Sequence, residues 1–204
     1  GRYSFNDKFD DYEINIINEK DKYQFETFIN LKNNPLIIEE IDYSKSKDSS
    51  STVKINGNYI KNKDIKIENA IYSEDKNKIE VSNLKLSKSF KIESIDELKL
   101  SYLNKNKNKN FIQVLKSKDK YVLTGEHFDG DSLVKNLLDG NSNKSFLKVF
   151  KNLNSEITVN LEKLYSGNQS NLKSVVGEIF VENNIIKSGK IDALLNEKHK
   201  FSLN

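Results

Sequence analysis

The apolar residues of this chain recur at every second position over most of its length. The odd-numbered positions of residues 23–31 hold Tyr, Phe, Thr, Ile and Leu, and polar residues fill most of the positions between them. A period of two residues is typical of β-strands that bury one face. Comparable runs recur as far as residue 124, with short polar turns between them. Such short connections predict an antiparallel meander, because antiparallel neighbours need only a tight turn.

Several positions interrupt this alternation and predict turns or bulges. The Asn-Asn-Pro sequence of residues 33–35 ends one strand, because proline cannot donate a hydrogen bond to a ladder. The denser apolar run of residues 36–43 predicts a further strand. Gly57-Asn58 indicates either a tight turn or a bulge within a longer strand. The strand parity changes near Asn83, and the Lys- and Asn-rich residues 105–109 predict a solvent-exposed hairpin loop.

The pattern changes at Gly125 from alternation to helical spacing. In residues 131–139, leucine and valine recur at positions that share one face of a helix, with Asp131 or Ser132 placed to cap its beginning and Gly140 placed to end it. Residues 144–153 repeat the helical spacing. One or two short helices are therefore predicted around 131–153, and helices of this length need to pack on a sheet to be stable.

Alternating strands return after residue 153 and complete the predicted fold. The chain is expected to be mainly β, a long antiparallel meander forming a twisted, curved sheet that is either an open groove or a half-barrel. Residues 1–204 form a single β-rich domain or a fragment of a longer protein, with a β-meander over 1–124, a short helical insertion over 125–153 and a second β-meander over 154–204. The apolar parity of the last strands is occupied by Ile157, Val159, Leu161, Val175, Ile179, Val181, Ile191, Ala193 and Leu195.

Composition removes several classes of function. The 33 basic and 30 acidic residues give a net charge of +3 and a mixed surface, which is not the clustered basic surface of a nucleic-acid-binding protein. The absence of cysteine excludes disulfides and thiolate chemistry. No apolar run approaches the length of a membrane span. The chain begins without Met and stops within a strand-like run, so both ends are expected to be cut, and a membrane anchor is expected to lie outside them.

Candidate catalytic and metal-binding chemistry is sparse. Glu126, His127, Asp129 and Asp131 lie close together in sequence and could form a metal cluster or an acid–base group, but the favoured interpretation is a turn between strand and helix in which Asp131 caps the helix, because ligands on alternating strand positions rarely converge on a metal. A phosphate-binding glycine loop and a serine nucleophile elbow are both absent from the sequence. The expectation is a non-enzyme with no catalytic residue, no metal and no cofactor.

The repeated apolar parity leaves two interpretations open. Branched aliphatic residues on one strand face usually form an ordinary core. Here, however, few segments have the pattern of a second layer that would cover so long a face, and a large uncovered apolar face usually binds something. An acyl chain would provide that cover, because burying apolar surface is favourable by about 25 cal/mol per Å².

Part of the chain resembles the AsmA-like family of bacterial proteins. Residues 121–130 form a strand that ends in Gly-x-x-Phe-Asp and precedes the leucine-rich residues 132–138. Residues 157–164, 175–186 and 189–193 then follow the family's order of leucine-containing strand, loop, glycine-containing strand, turn and strand. The resemblance covers residues 112–204, whereas residues 1–111 are only a compatible β-meander.

The resemblance implies a function and a location. AsmA-like proteins are anchored in the inner membrane of Gram-negative bacteria and extend into the periplasm, where a β-groove carries phospholipid between the inner and outer membranes. This chain would be one length of that groove, with acyl chains lying along the nine apolar residues of 157–195 named above. Contact with the membrane would come from segments outside the chain, and neither a cofactor nor nucleic acid would be involved.

Two other readings remain open at this point. The chain could be a bacterial surface or secreted β-protein, such as a lipoprotein or an adhesin, with a closed core and a binding role. It could also be a β-jellyroll similar to those of lipopolysaccharide transport. A closed core predicts strands divided between two facing sheets without a continuous cavity, whereas a groove predicts an open apolar face.

Overall fold

The computed structural model describes residues 1–4, 8–46, 49–61, 63–132, 146–166, 170–195 and 198–204. Strands dominate it, which confirms the mainly β prediction. They are β1 Arg2–Ser4, β2 Phe9–Glu19, β3 Lys22–Asn30, β4 Ile37–Ile38, β5 Tyr43–Ser44, β6 Ser51–Ile60, β7 Ile65–Glu74, β8 Asn77–Leu86, β9 Ile92–Ser94, β10 Glu97–Leu103, β11 Lys109–Ser117, β12 Lys120–Asp129, β13 Ser155–Ser166, β14 Ser170–Glu182, β15 Ile185–Leu195 and β16 His199–Leu203.

Fourteen of these strands form one sheet that does not close on itself. Its order is β1-β2-β3-β6-β7-β8-β10-β11-β12-β13-β14-β15-β16, with β9 paired to β8, while β4 and β5 form a separate two-stranded sheet. The strands on this path neighbour each other in chain order, as a meander predicts.

The antiparallel prediction is wrong at one place, because β12 and β13 pair in parallel. Tyr121 lies opposite Ile157 and Leu123 lies opposite Val159, so both strands run in the same direction. The connection between them, residues 130–154, returns the chain to the starting end of β12. A parallel pair needs such a long crossover, whereas an antiparallel pair needs only a turn.

The helical insertion is only partly as predicted. The alternation does not end at Gly125, because β12 continues to Asp129 and Gly125 pairs with Ile112 beside a bulge. Residues 131–132 are helical, and the rest of the first predicted helix, including Gly140, lies outside the described residues. Within the second, Phe146–Val149 form a 3-10 helix, and Phe150 then makes a bridge to Ile92.

Two local predictions of strand geometry are confirmed. Gly57 and Asn58 lie within the single long strand β6, and the bulge beside Gly57 has its extra residue, Glu68, in the neighbouring strand β7, because Asn56 pairs with Asn69 while Gly57 pairs with Ile67. A side chain at Gly57 would clash with the neighbouring strand, so the bulge requires glycine. Asn83 has a φ of 50° and marks the parity change in β8, a conformation that asparagine tolerates better than most residues.

The apolar side chains of the strands share one face of the sheet. Directly opposed residues in a ladder lie on the same face, and a row of such partners crosses ten neighbouring strands. Apart from one glycine, every position of the row is apolar or aromatic: Tyr12, Ile29, Val53, Tyr72, Ile79, Leu100, Ile112, Gly125, Leu161 and Val175. The sheet therefore has one continuous apolar face.

Residues 36–45, here called the strap, cover part of this face. The strand predicted over 36–43 is wrong, because β4 and β5 are separated by the 3-10 helix Glu39–Ile41 and by Asp42, which has a φ of 52°. This curvature buries Tyr43, whose ring lies 5.6 Å from that of Tyr72 and 5.5 Å from that of Tyr102. The Tyr102 hydroxyl also donates to the carbonyl of Ile41 at 2.8 Å, which ties the strap to β10.

Residues 146–153, here called the cover segment, lie on the opposite end of the same face. Leu147 and Leu153 are buried in a cluster with Ile95, Tyr121 and Val181. With the strap, this segment provides a second layer on the sheet; the packing of residues 144–153 on the sheet is as expected, whereas the strap was not predicted. The core of the protein lies between the sheet and these two segments.

Candidate functional site

The nine residues predicted to face lipid all lie on the apolar face of β13, β14 and β15, and the structure brings them together. Five are buried in the core, namely Val159, Leu161, Val175, Val181 and Ala193. The other four are partly buried and pack against the same clusters, namely Ile157, Ile179, Ile191 and Leu195. Protein side chains therefore already occupy much of the surface around these nine residues.

The part of the apolar face that remains open lies on β2, β3, β6 and β7, at the strand ends away from the strap. It forms a concavity of about 600 Å³. We call it the open patch, and its lining residues are Ile14, Ile16, Tyr23, Phe25, Thr27, Tyr59, Lys61 and Ile65. Ile14 and Ile16 are 49% and 62% exposed, although they belong to the same face as the buried core.

The aromatic residues of the open patch are positioned by the regular pairing of β3 with β6. Tyr23 lies opposite Tyr59, and their rings stack with centroids 6.0 Å apart. Phe25 lies opposite Gly57, and its ring approaches to 2.9 Å from where a Cβ of that glycine would be. Glycine at this position therefore lets the Phe25 ring lie low on the sheet, which leaves a depression between Ile16 and Ile65.

The reverse face of the same strands has the opposite chemistry. A smaller cleft of about 320 Å³ is lined there mainly by amides and carboxylates: Asn15, Gln24, Glu26, Asn56, Asn58 and Glu68. Asn58 donates to the Glu68 carboxylate at 3.1 Å. Ile17 also lines this cleft and is 60% exposed. Ile16 and Ile17, which are adjacent in β2, are thus about equally exposed, one on the apolar face and the other on the polar face.

In the region of Glu126, His127, Asp129 and Asp131, the hydrogen bonds of Asp129 hold a loop in place. Asp129 is buried and accepts hydrogen bonds from the side-chain amides of Asn104 and Asn108, at 2.7 and 2.8 Å. Its carboxylate thereby fastens the β10–β11 loop to the end of β12. Among the described residues, no group of three or more histidines and carboxylates is placed to hold a metal ion.

The most buried carboxylate of the described chain, that of Glu74, fixes the loop that follows the strap. It is 2% exposed. Its donors are the hydroxyls of Tyr43, Tyr72 and Ser49, the backbone N–H of Ser46 and the side-chain amide of Asn77. Burial raises the pKa of this carboxyl, but the hydrogen bonds together outweigh burial, so its pKa lies below the ordinary value. A carboxylate saturated with donors is suited to holding structure and not to transferring protons.

Comparison with known proteins adds no assignment. No protein-family model, curated protein or solved structure matches this chain. Within the described residues, no helix has the length and apolar content that crossing a bilayer requires. The function is therefore argued from the open patch itself.

Proposed function

We propose that this chain is a lipid-binding β-sheet segment that holds acyl chains on the open patch. The observation that carries the proposal is the exposure of Ile14 and Ile16 beside Phe25 in an apolar concavity, on a face that is otherwise covered by the strap and the cover segment. An exposed apolar concavity of this kind marks a ligand site more often than an inert surface. The role is that of a carrier, without catalysis or a cofactor.

The energetics are adequate for reversible binding. Each buried methylene of an acyl chain contributes about 0.8 kcal/mol, so about ten methylenes contribute about 8 kcal/mol before the cost of association. That cost is itself about 4 kcal/mol or more. The net gain of about 4 kcal/mol or less corresponds to a dissociation constant of about 1 mM or weaker, so binding is weak and reversible, which suits a carrier that releases its cargo.

The wider setting of the proposal rests on the resemblance of residues 112–204 to AsmA-like proteins. On that basis the protein is periplasmic, in a Gram-negative bacterium, and is anchored in the inner membrane through segments outside this chain. Its cargo would be phospholipid moving between the inner and outer membranes.

A test of the proposal compares two isoleucines of β2. Ile16→Asp is expected to weaken the binding of the fluorescent fatty acid cis-parinaric acid by about tenfold or more, because the new carboxylate is desolvated by a bound chain. Ile17→Asp, on the reverse face, is expected to bind like the original protein. Both residues are largely exposed, so neither change costs much folding stability.

The contradicting outcomes are equally clear. Equal weakening by both substitutions would place the bound chain elsewhere, and the absence of binding by a folded original protein would remove the proposal. The second candidate, a surface or secreted β-protein with a closed core and a binding role, would then be favoured. The observation on its side is that the nine residues of β13–β15 belong to the same hydrophobic clusters as residues of the strap and the cover segment.

A further inference from the structure

The open patch carries a single positive charge at its margin. Lys61 is the charged residue among the described residues that line the concavity, the others being aliphatic, aromatic or threonine. Its backbone N–H donates to the carbonyl of Asp21 at 2.9 Å, which fixes the end of β6 beside the β2–β3 turn. This places the Lys61 side chain where the apolar lining meets solvent.

The charge of Lys61 remains available to a ligand. In the described part of the chain, its ammonium group forms no ion pair, and the nearest loop carboxylate in sequence, that of Asp64, is already paired with Lys85 at 2.9 Å. Lys20 and Lys63 lie in the same two turns, with Asp21 as the other acid. The margin of the open patch is therefore positive on balance, which favours an anion there.

The dimensions of the open patch limit how much hydrocarbon it holds. About 600 Å³ is within the range of sites that hold one small molecule. The concavity is also bounded by β2 on one side and by Ile65 of β7 on the other. One hydrocarbon chain lying across β3 and β6 would cover Phe25 and reach Lys61 with its polar end.

We infer that the ligand of the open patch is a single acyl chain with an anionic head, whose charge is bound by Lys61. This inference rests on the proposed binding of acyl chains by the open patch, and it replaces the two-chain phospholipid that the resemblance implies with a lipid that has one chain and an anionic head. A fatty-acid carboxylate and a lysophospholipid phosphate both have this chemistry. Lys61 then acts as the residue that selects among apolar ligands, whereas the aromatic and aliphatic residues supply the affinity.

The test measures preference and not only affinity. cis-Parinaric acid and its methyl ester have the same chain and differ in charge at neutral pH, so the ratio of their dissociation constants isolates the head group. The original protein is expected to bind the acid about three- to fivefold more tightly than the ester, as is typical of an exposed ion pair. In Lys61→Gln the ratio is expected to fall to about one, with the binding of the ester unchanged.

The matched control is Lys63→Gln, which removes a charge from the same loop outside the lining and is expected to keep the preference. Palmitate and palmitoyl lysophosphatidylglycerol are each used to displace bound cis-parinaric acid, from the original protein and from Lys61→Gln. The competitor whose displacing potency falls more in Lys61→Gln identifies the anionic head, carboxylate or phosphate, that Lys61 binds. A ratio near one in the original protein, or a loss of preference in both variants, would overturn the assignment to Lys61. Equal displacement of cis-parinaric acid by the two-chain lipid dipalmitoyl phosphatidylglycerol would overturn the inference that the ligand has one chain. If neither the acid nor the ester binds, the proposed function itself is refuted.

Discussion

Val175→Asn is expected to lower the free energy of unfolding by about 3–4 kcal/mol, because it removes buried methyl groups and buries an amide without partners. Val175 is 1% exposed and lies opposite Leu161 in the core. The neighbouring Val176 is 48% exposed on the reverse face. Val176→Asn is therefore expected to change the same quantity by less than about 0.5 kcal/mol. Urea unfolding of the two variants measures both values.

This pair of variants tests whether the apolar face of β13–β15 is a filled core. In an open lipid groove, Val175 would face a removable ligand, and the asparagine variant would fold with nearly the original stability. Similar stabilities for the two variants would therefore contradict the packing of the strap and the cover segment on this face.

Glu74→Gln is expected to lower the free energy of unfolding by about 3 kcal/mol, because an amide cannot accept from all the groups that now donate to the carboxylate. The N–H of Ser46, 2.8 Å from the carboxylate, and the hydroxyls of Tyr43 and Ser49 lose a charged acceptor in a buried site. The control is Asp75→Asn, one residue further on and exposed at the β7–β8 turn. It is expected to be nearly neutral in the same urea titration.

The pH dependence of stability provides a second measurement of the same network. The folded-state pKa of Glu74 lies below its ordinary value of 4.5, and that of Asp10 lies below 3.8. Each group thus binds protons more tightly in the unfolded state. Its contribution to stability is present above the ordinary pKa and is lost as the pH falls through the folded pKa. Stability is expected to fall below about pH 4.5, and to fall less steeply in Glu74→Gln; an unchanged slope would show that this carboxyl is not linked to folding.

The sequence was sufficient to predict most of the strands and their faces, because both depend on local alternation; the run over 36–43 is the exception. The strand over residues 23–31, the bulge beside Gly57 and the change of parity near Asn83 are all confirmed, although the extra residue of that bulge, Glu68, lies in β7. The parallel pairing of β12 and β13 was not predictable in this way, because it depends on the path taken by residues 130–154.

The position of the open patch could also not be predicted from the alternation of apolar and polar residues. Ile14 and Val159 both lie on the apolar face of the sheet, yet Ile14 is exposed and Val159 is buried. The difference comes from the strap and the cover segment, which are distant in sequence from the strands they cover. The sequence predicts a strand over residues 36–43 because apolar residues are as dense there as in a strand. The left-handed conformation at Asp42 instead directs Tyr43 into the core.

The most direct test of the account is a contact measurement between a bound acyl chain and the isoleucine methyl groups of the protein. Intermolecular nuclear Overhauser effects from stearate to selectively labelled Ile δ1 methyls would identify the residues that the chain contacts. Contacts are expected at Ile14, Ile16 and Ile65 of the open patch, and not at Ile17 or Ile185, which are equally exposed on the reverse face. Contacts at Ile17 or Ile185, or none at the three patch residues, would contradict the proposal that this face carries lipid.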